Sequence, residues 1–425
     1  MKSYLKLTNE EKKAELEALY GMLEAEKAKG YKLDMSRGKP APDQLDMSMD
    51  MLSVAPETMI RSCKGTDARN YGVLDGLDEA KELFAEILGL SPNNIIVGGQ
   101  SSLNLMYDCI IRAFVFGVYG GSKPWGQQGK LKFLCPVPGY DRHFRITEEF
   151  GIEMINIPMS PEGPDMALVK EYVENDPAVK GIWCVPKYSN PQGYTYSAET
   201  VKAFAALKPA ADDFRIFWDN AYIVHAFREK DDELLNIFDA CAEYGSEDMV
   251  YEFMSTSKVT FPGSGVAVIA ASENNVKFIL KQMGVQTIGF DKVNQLRHVN
   301  YLKDAEGVKA HMEKLAELMR PKFDCVVNTL SENLGDLEIG KWTNPNGGYF
   351  VCFEGLPGTA KRCVGLCAEA GVKLTGAGAP FPYGKDPEDS TIRIAPSFPS
   401  VEQLSDSIKV FCICQRIAAL ETLIS

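Results

Sequence analysis

Histidine is scarce in this sequence: four residues in a chain of 425. A structural zinc site wants cysteines in CxxC-like pairs with histidines alongside. The eleven cysteines are scattered instead, Cys63, Cys109, Cys135, Cys184 and Cys241 among them, and the close pairs are Cys363 with Cys367 and Cys412 with Cys414. No metal is expected, and the thiols read as buried and reduced, as in a cytoplasmic protein. A long apolar run is also missing: nothing approaches the roughly 20 residues that a membrane-crossing helix needs, so no membrane partner is expected. The opening MKSYLKLTNEEKKAELEALY has neither an apolar core nor a cleavage-like site and does not read as a signal peptide. Basic residues are outnumbered, 45 Lys and Arg against 58 Asp and Glu, for a formal net charge of -13. That balance argues against a nucleic-acid partner, whose phosphates need a basic face, and gives no pull toward anionic lipid. Local basic pockets remain compatible with it. Two catalytic phrases are absent as well. No GxGxxG follows an early strand with an acid about 20 residues on, which argues against a dinucleotide-binding oxidoreductase. No GxSxG marks a hydrolase nucleophile.

What is present is length and alternation. A chain of 425 residues is too long for one ordinary core. Thr8 and Glu11 form a capping-box pattern, and Leu16, Leu19, Met22 and Leu23 then share one face of a helix over Asn9–Lys29, closed by Gly30. From Asp34 to Asp50 no period is visible, which predicts a loop or arm. A helix is expected over Asp78–Leu88, ended by Gly89. Strands are expected at Ile95–Val97, Leu131–Cys135, Ile152–Ile157, Gly181–Val185, Arg215–Trp218 and Val266–Ala270, with helical segments between most of them. That alternation predicts an α/β fold with a large, central, mostly parallel sheet flanked by helices. After about Phe290 a long helical stretch, roughly Ala305–Thr329, is expected to kink or break at Pro321. The expected division is an N-terminal helix and arm over residues 1–60 that joins a smaller C-terminal α/β domain over residues 305–425, with the large domain over residues 61–304.

Open α/β sheets bind ligands beyond the C-terminal ends of their strands, and several of these strands end in chemically suited residues. Gly98-Gly99-Gln100-Ser101-Ser102 opens a helix, Ser189-Asn190-Pro191-Gln192-Gly193 forms a turn, Asp219-Asn220-Ala221-Tyr222 puts an acid after a strand, and Ser255-Thr256-Ser257-Lys258 puts a lysine in a hydroxyl-rich turn. With SRGKP (Ser36–Pro40), NYGVLDGL (Asn70–Leu77), PGY (Pro138–Tyr140), GGYF (Gly347–Phe350) and IRIAPSF (Ile392–Phe398), the phrases SNPQG, DNAY and STSK make eight in family order over nearly the whole chain. In them the sequence resembles the fold-type-I, pyridoxal-phosphate-dependent (PLP-dependent) aminotransferases of class I. SRGKP, STSKVTFPGSGVA and GFDKVNQLRHV resemble, more narrowly, the bacterial aspartate aminotransferase subgroup Ic.

The resemblance implies a role for each matching residue. Lys258 would carry PLP as a Schiff base and, once freed, move the substrate proton. Asp219 would hold the pyridine nitrogen protonated so that the ring accepts carbanion charge; a helix N-cap is the alternative use of such an acid. Tyr222 and Asn190 would hydrogen-bond the phenolic oxygen, and Tyr140 would stack on the ring. Gly99, Gln100, Ser101 and Ser102 would cradle the phosphate at a helix N-terminus, with Ser255 and Ser257 adding hydroxyls. Tyr71 would reach the phosphate of a neighbouring subunit, which implies a homodimer. Arg393 would clamp the substrate α-carboxylate with its planar fork, beside the backbone of Gly38. The implied reaction is transamination between amino-acid and 2-oxo-acid substrates, with aspartate and 2-oxoglutarate as the favoured pair. Aromatic, kynurenine or aminoadipate substrates and β-lyase chemistry use the same constellation and stay open. A PLP-binding transcription regulator would need a DNA-binding segment, for which the chain has no spare length. One departure stands out: most class I members carry an arginine shortly after the lysine, where this chain reads Pro262-Gly263-Ser264-Gly265. Either hydroxyls and helix N–H groups suffice there, or another cation such as Lys187, Lys292 or Arg297 enters from elsewhere; Lys39 and Arg297 are the candidates for a second substrate carboxylate.

Overall fold

The computed structural model describes residues 2–425. Its centre is an eight-stranded sheet whose strands lie in the order Ile95–Val97, Ala267–Ala271, Val250–Ser255, Arg215–Asp219, Val179–Cys184, Lys132–Val137, Glu153–Ser160 and Gly163–Pro164. The five strands from Val250–Ser255 through Glu153–Ser160 pair in parallel; Ala267–Ala271 and Gly163–Pro164 run against them, and the edge strand Ile95–Val97 runs with them but pairs antiparallel to Ala267–Ala271. Helices cover both faces of such a sheet, so its inner strands carry no polar-out alternation: every residue of Val179–Cys184, Arg215–Asp219 and Val250–Ser255 is buried. Of the charged residues in these strands, Lys180 meets Asp213 at 2.6 Å, and Glu252 accepts a hydrogen bond from Asn220 at 2.8 Å.

The strand Val250–Ser255 was not among the expected ones. Glu252 interrupts its apolar run, and only the tertiary fold reveals that this acid has a partner. It is nevertheless the strand that delivers Ser255, Ser257 and Lys258 to the sheet's C-terminal edge.

The N-terminal helix Asn9–Lys27 starts in the expected capping box, with both reciprocal bonds between Thr8 and Glu11 present. Leu19 and Leu23 pack with Leu404, Ile408 and Phe411 of the last helix, Val401–Ile424, in one apolar core. That core also holds the three-stranded sheet Gly340–Trp342, Val351–Gly355 and Thr391–Ile394. The segment expected as a featureless arm is more regular than its composition implied. Leu33–Asp34 pairs in parallel with Val372–Lys373, and Pro42–Asp46 is a short helix.

Helix Ala305–Leu334 runs 30 residues across Pro321 without the break that the sequence allowed there. Proline deletes one hydrogen bond to the residue-317 carbonyl, and both Glu317 and Pro321 lie on the exposed face, where water can serve that carbonyl. Met319, Phe323 and Val326 on the opposite face are fully buried. Packing therefore outweighs the local defect.

Candidate functional site

The C-terminal ends of the central strands open into a pocket of about 530 Å³. Twelve of the residues singled out from sequence line it: Gly38, Lys39, Ser101, Ser102, Tyr140, Asn190, Asp219, Tyr222, Ser255, Ser257, Lys258 and Arg393. Gly99 and Gln100 stand behind the wall and contribute backbone. The Gly99 carbonyl accepts from Ala267 N at 2.8 Å, and the Gln100 carbonyl accepts from Ser257 Oγ at 3.4 Å. Tyr71 lies outside the pocket, with 81% of its surface exposed.

The floor is built from buried groups whose charged forms are disfavoured. The Lys258 Nζ lies 4.9 Å from the centre of the Tyr222 ring and 5.9 Å from that of Tyr349. Burial pushes the lysine pKa down, with the Asp219 carboxylate opposing, which favours the neutral, nucleophilic amine. Burial also raises the Tyr222 phenol well above its ordinary value and pushes Tyr140 up to about 12, with Asp219 adding to both. Asp219 ends its strand and is followed by a turn, so it caps no helix. One carboxylate oxygen, Oδ2, takes His143 Nε2 at 2.9 Å; the other, Oδ1, is buried with no partner among the described residues. His143 is itself fixed by stacking on Trp183, centroids 4.5 Å apart and planes 12° from parallel. A buried carboxylate oxygen without a donor suits a protonated ring nitrogen, which would supply the missing hydrogen bond.

At one end of the pocket stands Arg393, 7% exposed. Its Nη1 donates to Asp141 Oδ1 at 2.9 Å and to Asn190 Oδ1 at 3.3 Å, and Nη2 donates to Thr375 Oγ1 at 3.4 Å. Nη2 makes only that one bond and keeps a second hydrogen for an incoming carboxylate, while Nε is buried and unpartnered among the described residues. Gly38 is close-packed here, since a Cβ would meet Phe350 Cζ at 2.4 Å.

The serine-lined end is different. Ser255 Oγ donates to Ser257 Oγ at 3.1 Å, and helix Ser102–Phe116 begins beside them. None of the three cations offered as substitutes for the missing arginine lines the pocket. Lys187 is 2.8 Å from Asp231, Lys292 donates to the Gly72 carbonyl at 3.0 Å, and Arg297 is bonded to Asn294.

Sequence reasoning missed four features. His143 sits one helical turn after Tyr140, but nothing local links it to an aspartate 76 positions on. Arg37, Arg142 and Lys373, with the anticipated Lys39, bring exposed positive charge to the lining. Lys39 lies over the Phe398 ring and Lys373 is 3.9 Å from Asp34. Arg37 stands in the SRGKP phrase, where a signal existed.

No helix among the described residues is long and apolar enough to cross a membrane, and no cluster of three His, Cys, Asp or Glu there could hold a metal ion. The sequence model of the family described as aspartate amino-transferase matches residues 7–425. The chain is 43% identical over 395 residues to the aspartate aminotransferase of Corynebacterium glutamicum, covering 93% of this chain and 91% of that protein. The fold matches the crystal structure of an aspartate transaminase from C. glutamicum with a TM-score of 0.97 and 41% identity, over 99% of both chains. The α-aminoadipate aminotransferase LysN of Thermus thermophilus, solved with N-(5'-phosphopyridoxyl)-L-leucine, shares the fold at a TM-score of 0.72 and 20% identity, over 92% of this chain and 93% of that one. By sequence and by fold, this chain belongs to the aspartate aminotransferase family and is a fold-type-I aminotransferase with pyridoxal phosphate as its cofactor.

Proposed function

We propose that the enzyme transaminates an acidic amino acid, with aspartate and 2-oxoglutarate as the favoured pair. The carrying observation is the cationic lining beside Arg393. Arg37 and Arg142 are exposed and have no ion-pair partner among the described residues, while Arg393 is buried and already oriented. A dicarboxylate needs two separated cationic contacts, and Arg142, one residue from Asp141, is the candidate for the distal one.

The cofactor, when bound, supplies an electron sink for charge left at the substrate Cα. The chain's own residues do the rest. Asp219 Oδ1 would keep the ring nitrogen protonated, and His143 keeps the carboxylate in place through Oδ2. Lys258, whose burial favours the neutral amine, would hold the cofactor and would carry the proton removed from the substrate Cα. Tyr222 and Asn190 would donate to the phenolic oxygen, and Tyr140 would cover the ring. Ser101, Ser102, Ser255 and Ser257, with backbone from Gly99 and Gln100, would hold the phosphate at the N-terminus of helix Ser102–Phe116. Arg393, beside Gly38, clamps the α-carboxylate.

The working unit in this proposal is a homodimer, with the large domain over residues 61–304 and residues 1–60 joining the small domain over residues 305–425. Tyr71 at 81%, Val285 at 89% and Ile288 at 60% exposure put apolar surface outside the fold, as a subunit contact requires. Tyr107, Ile111 and Val115, four residues apart on one helix, extend it. The test is a kcat/KM panel of aspartate, glutamate, alanine, phenylalanine and kynurenine. A neutral or aromatic substrate winning by about tenfold, 1.4 kcal/mol, removes the dicarboxylate assignment. Lys258→Ala should leave no borohydride-trapped cofactor; an adduct on another lysine removes the lysine assignment. A fully active monomer in solution removes the homodimer.

A further inference from the structure

Arg393 already holds a carboxylate that belongs to the chain itself. Asp141 lines the same pocket, and its Oδ1 accepts from Arg393 Nη1 at 2.9 Å. Arg393 is the only hydrogen-bond or ion-pair partner of that side chain among the described residues. Nη1 also donates to the Asn190 amide oxygen at 3.3 Å, and Nη2 gives one hydrogen to Thr375 at 3.4 Å. A guanidinium has five hydrogens. Both on Nη1 are engaged, Nε is buried, and one on Nη2 stays open. A carboxylate held by two parallel bonds needs a second. Asn190 or Asp141 must therefore give up Nη1.

Asp141 is the freer of the two. Asn190 is 4% exposed, whereas 33% of the Asp141 side chain is exposed. Asp141 is also the first residue of helix Asp141–Glu149. A rotation about its own side-chain bonds releases it, and the freed carboxylate stays at the positive end of that helix. Arg393 does not need Asp141 for its orientation. Its strand pairs in register with Cys352, Asn190 and Thr375 keep their bonds, and its guanidinium lies 5.0 Å from the centre of the Phe350 ring. What Asp141 supplies is the counter-charge that a buried guanidinium requires.

We propose, on the assignment of Arg393 to the substrate α-carboxylate, that Asp141 is a built-in stand-in for that carboxylate. It compensates Arg393 in the empty pocket and is displaced by each ligand that binds there. Exchange of one carboxylate for another lowers the affinity for every α-amino acid by a common factor. It also sets a threshold, because a neutral amide or hydroxyl is too weak an acceptor to displace a charged one. Asp141 is in this way a specificity-determining residue.

The test uses the holoenzyme with succinate and propionate, which carry two carboxylates and one, and no amino group to react. Crystal structures with and without succinate should show Asp141 off Arg393 only in the complex, with a succinate carboxylate on both Nη atoms. Asp141→Asn should bind both acids about fivefold tighter, as expected when a partly exposed competing ion pair is lost. It should lower KM for aspartate, glutamate and alanine alike without raising kcat. Ligand-free Asp141→Asn should melt below the wild type, and succinate should raise its Tm by more than it raises that of the wild type, because the ligand restores the missing counter-charge. Asp141→Glu keeps the pair and should bind both acids within about twofold of the wild type. Asp141 still bonded to Arg393 beside a bound succinate carboxylate, tightening confined to succinate, or weaker binding of both acids by Asp141→Asn overturns the proposal. Succinate seated away from Arg393 instead removes the assignment of Arg393 itself, and the proposal with it.

Discussion

The pocket offers two ends to anions, and they are built on opposite terms. The Arg393 end presents a fixed charge, buried, with Asp141 held against it at 2.9 Å as counter-ion. The serine end presents hydroxyls and a helix N-terminus. At the fourth position of its Pro262-Gly263-Ser264-Gly265 phrase there is little space for a cation. A Cβ on Gly265 would meet Thr256 Oγ1 at 3.0 Å, Phe261 O at 3.2 Å and Gln100 O at 3.4 Å. A buried guanidinium needs compensation even when no ligand is present, whereas neutral donors do not. On the proposed reading, the charged end should therefore discriminate sharply between ligands with and without a carboxylate. The neutral end should hold its anion through many weaker bonds.

Arg393→Ala separates the two ends most strongly. Charge-assisted hydrogen bonds contribute about 1.5–3 kcal/mol each, so kcat/KM should fall roughly a hundredfold or more for every amino acid. Cofactor occupancy, read by absorbance, should not change. Equal loss of both would show that the ends are not independent.

Glu252 tests what the serine end's own strand tolerates. Burial pushes this carboxyl up to about 7, against the Asn220 hydrogen bond that favours its charged form. The folded protein thus prefers Glu252 protonated. That stabilisation is complete below the ordinary carboxylate range and is lost as pH rises through about 7. Glu252→Gln removes the loss and gives the buried, unpartnered Asn220 Oδ1 an amide donor. It should stabilise the protein by about 2 kcal/mol at pH 8 and by much less at pH 5. Paired denaturation midpoints at the two pH values check the sign. Greater stabilisation at pH 5 would show that the acid is charged in the fold.

A smaller effect probes the charged end from the outside. Arg142→Ala should cut kcat/KM for aspartate and glutamate about tenfold and leave alanine unchanged, because only the distal carboxylate loses its partner. If alanine falls equally, Arg142 supports the pocket rather than the side chain of the substrate.

The legibility of these features in sequence followed their locality. The Asn9–Lys27 helix and its capping box, the αL stop at Gly89 and the phrases around Asn190, Asp219 and Lys258 are each written within a few residues. His143, the Glu252 strand and the unbroken helix through Pro321 depend on partners far along the chain or on which face is buried, and no local pattern encodes those. The cationic lining shows the same limit. Arg37 and Arg142 stand in or beside phrases that were read, but exposure and direction decide whether an arginine faces a pocket or bulk water.

The smallest effect belongs to the serine end itself. Ser257→Ala deletes one hydroxyl from a pair in which Ser255 Oγ donates to Ser257 Oγ at 3.1 Å and Ser257 Oγ reaches the Gln100 carbonyl at 3.4 Å. Ser255 keeps its own proton and is freed to turn toward a bound phosphate, so the loss is partly compensated. The expected outcome is about 1 kcal/mol, a fall of roughly fivefold in cofactor affinity, with kcat at saturating cofactor nearly unchanged. Reconstitution of cofactor-free enzyme at low and high salt sharpens the reading. Neutral donors and a helix terminus give a shallow salt dependence, while a cation entering from a partner subunit would give a steep one if it is exposed. A shallow dependence together with a small Ser257→Ala effect fits an end that divides its phosphate among many donors. A steep dependence would place a cation there after all and dissolve the contrast with Arg393.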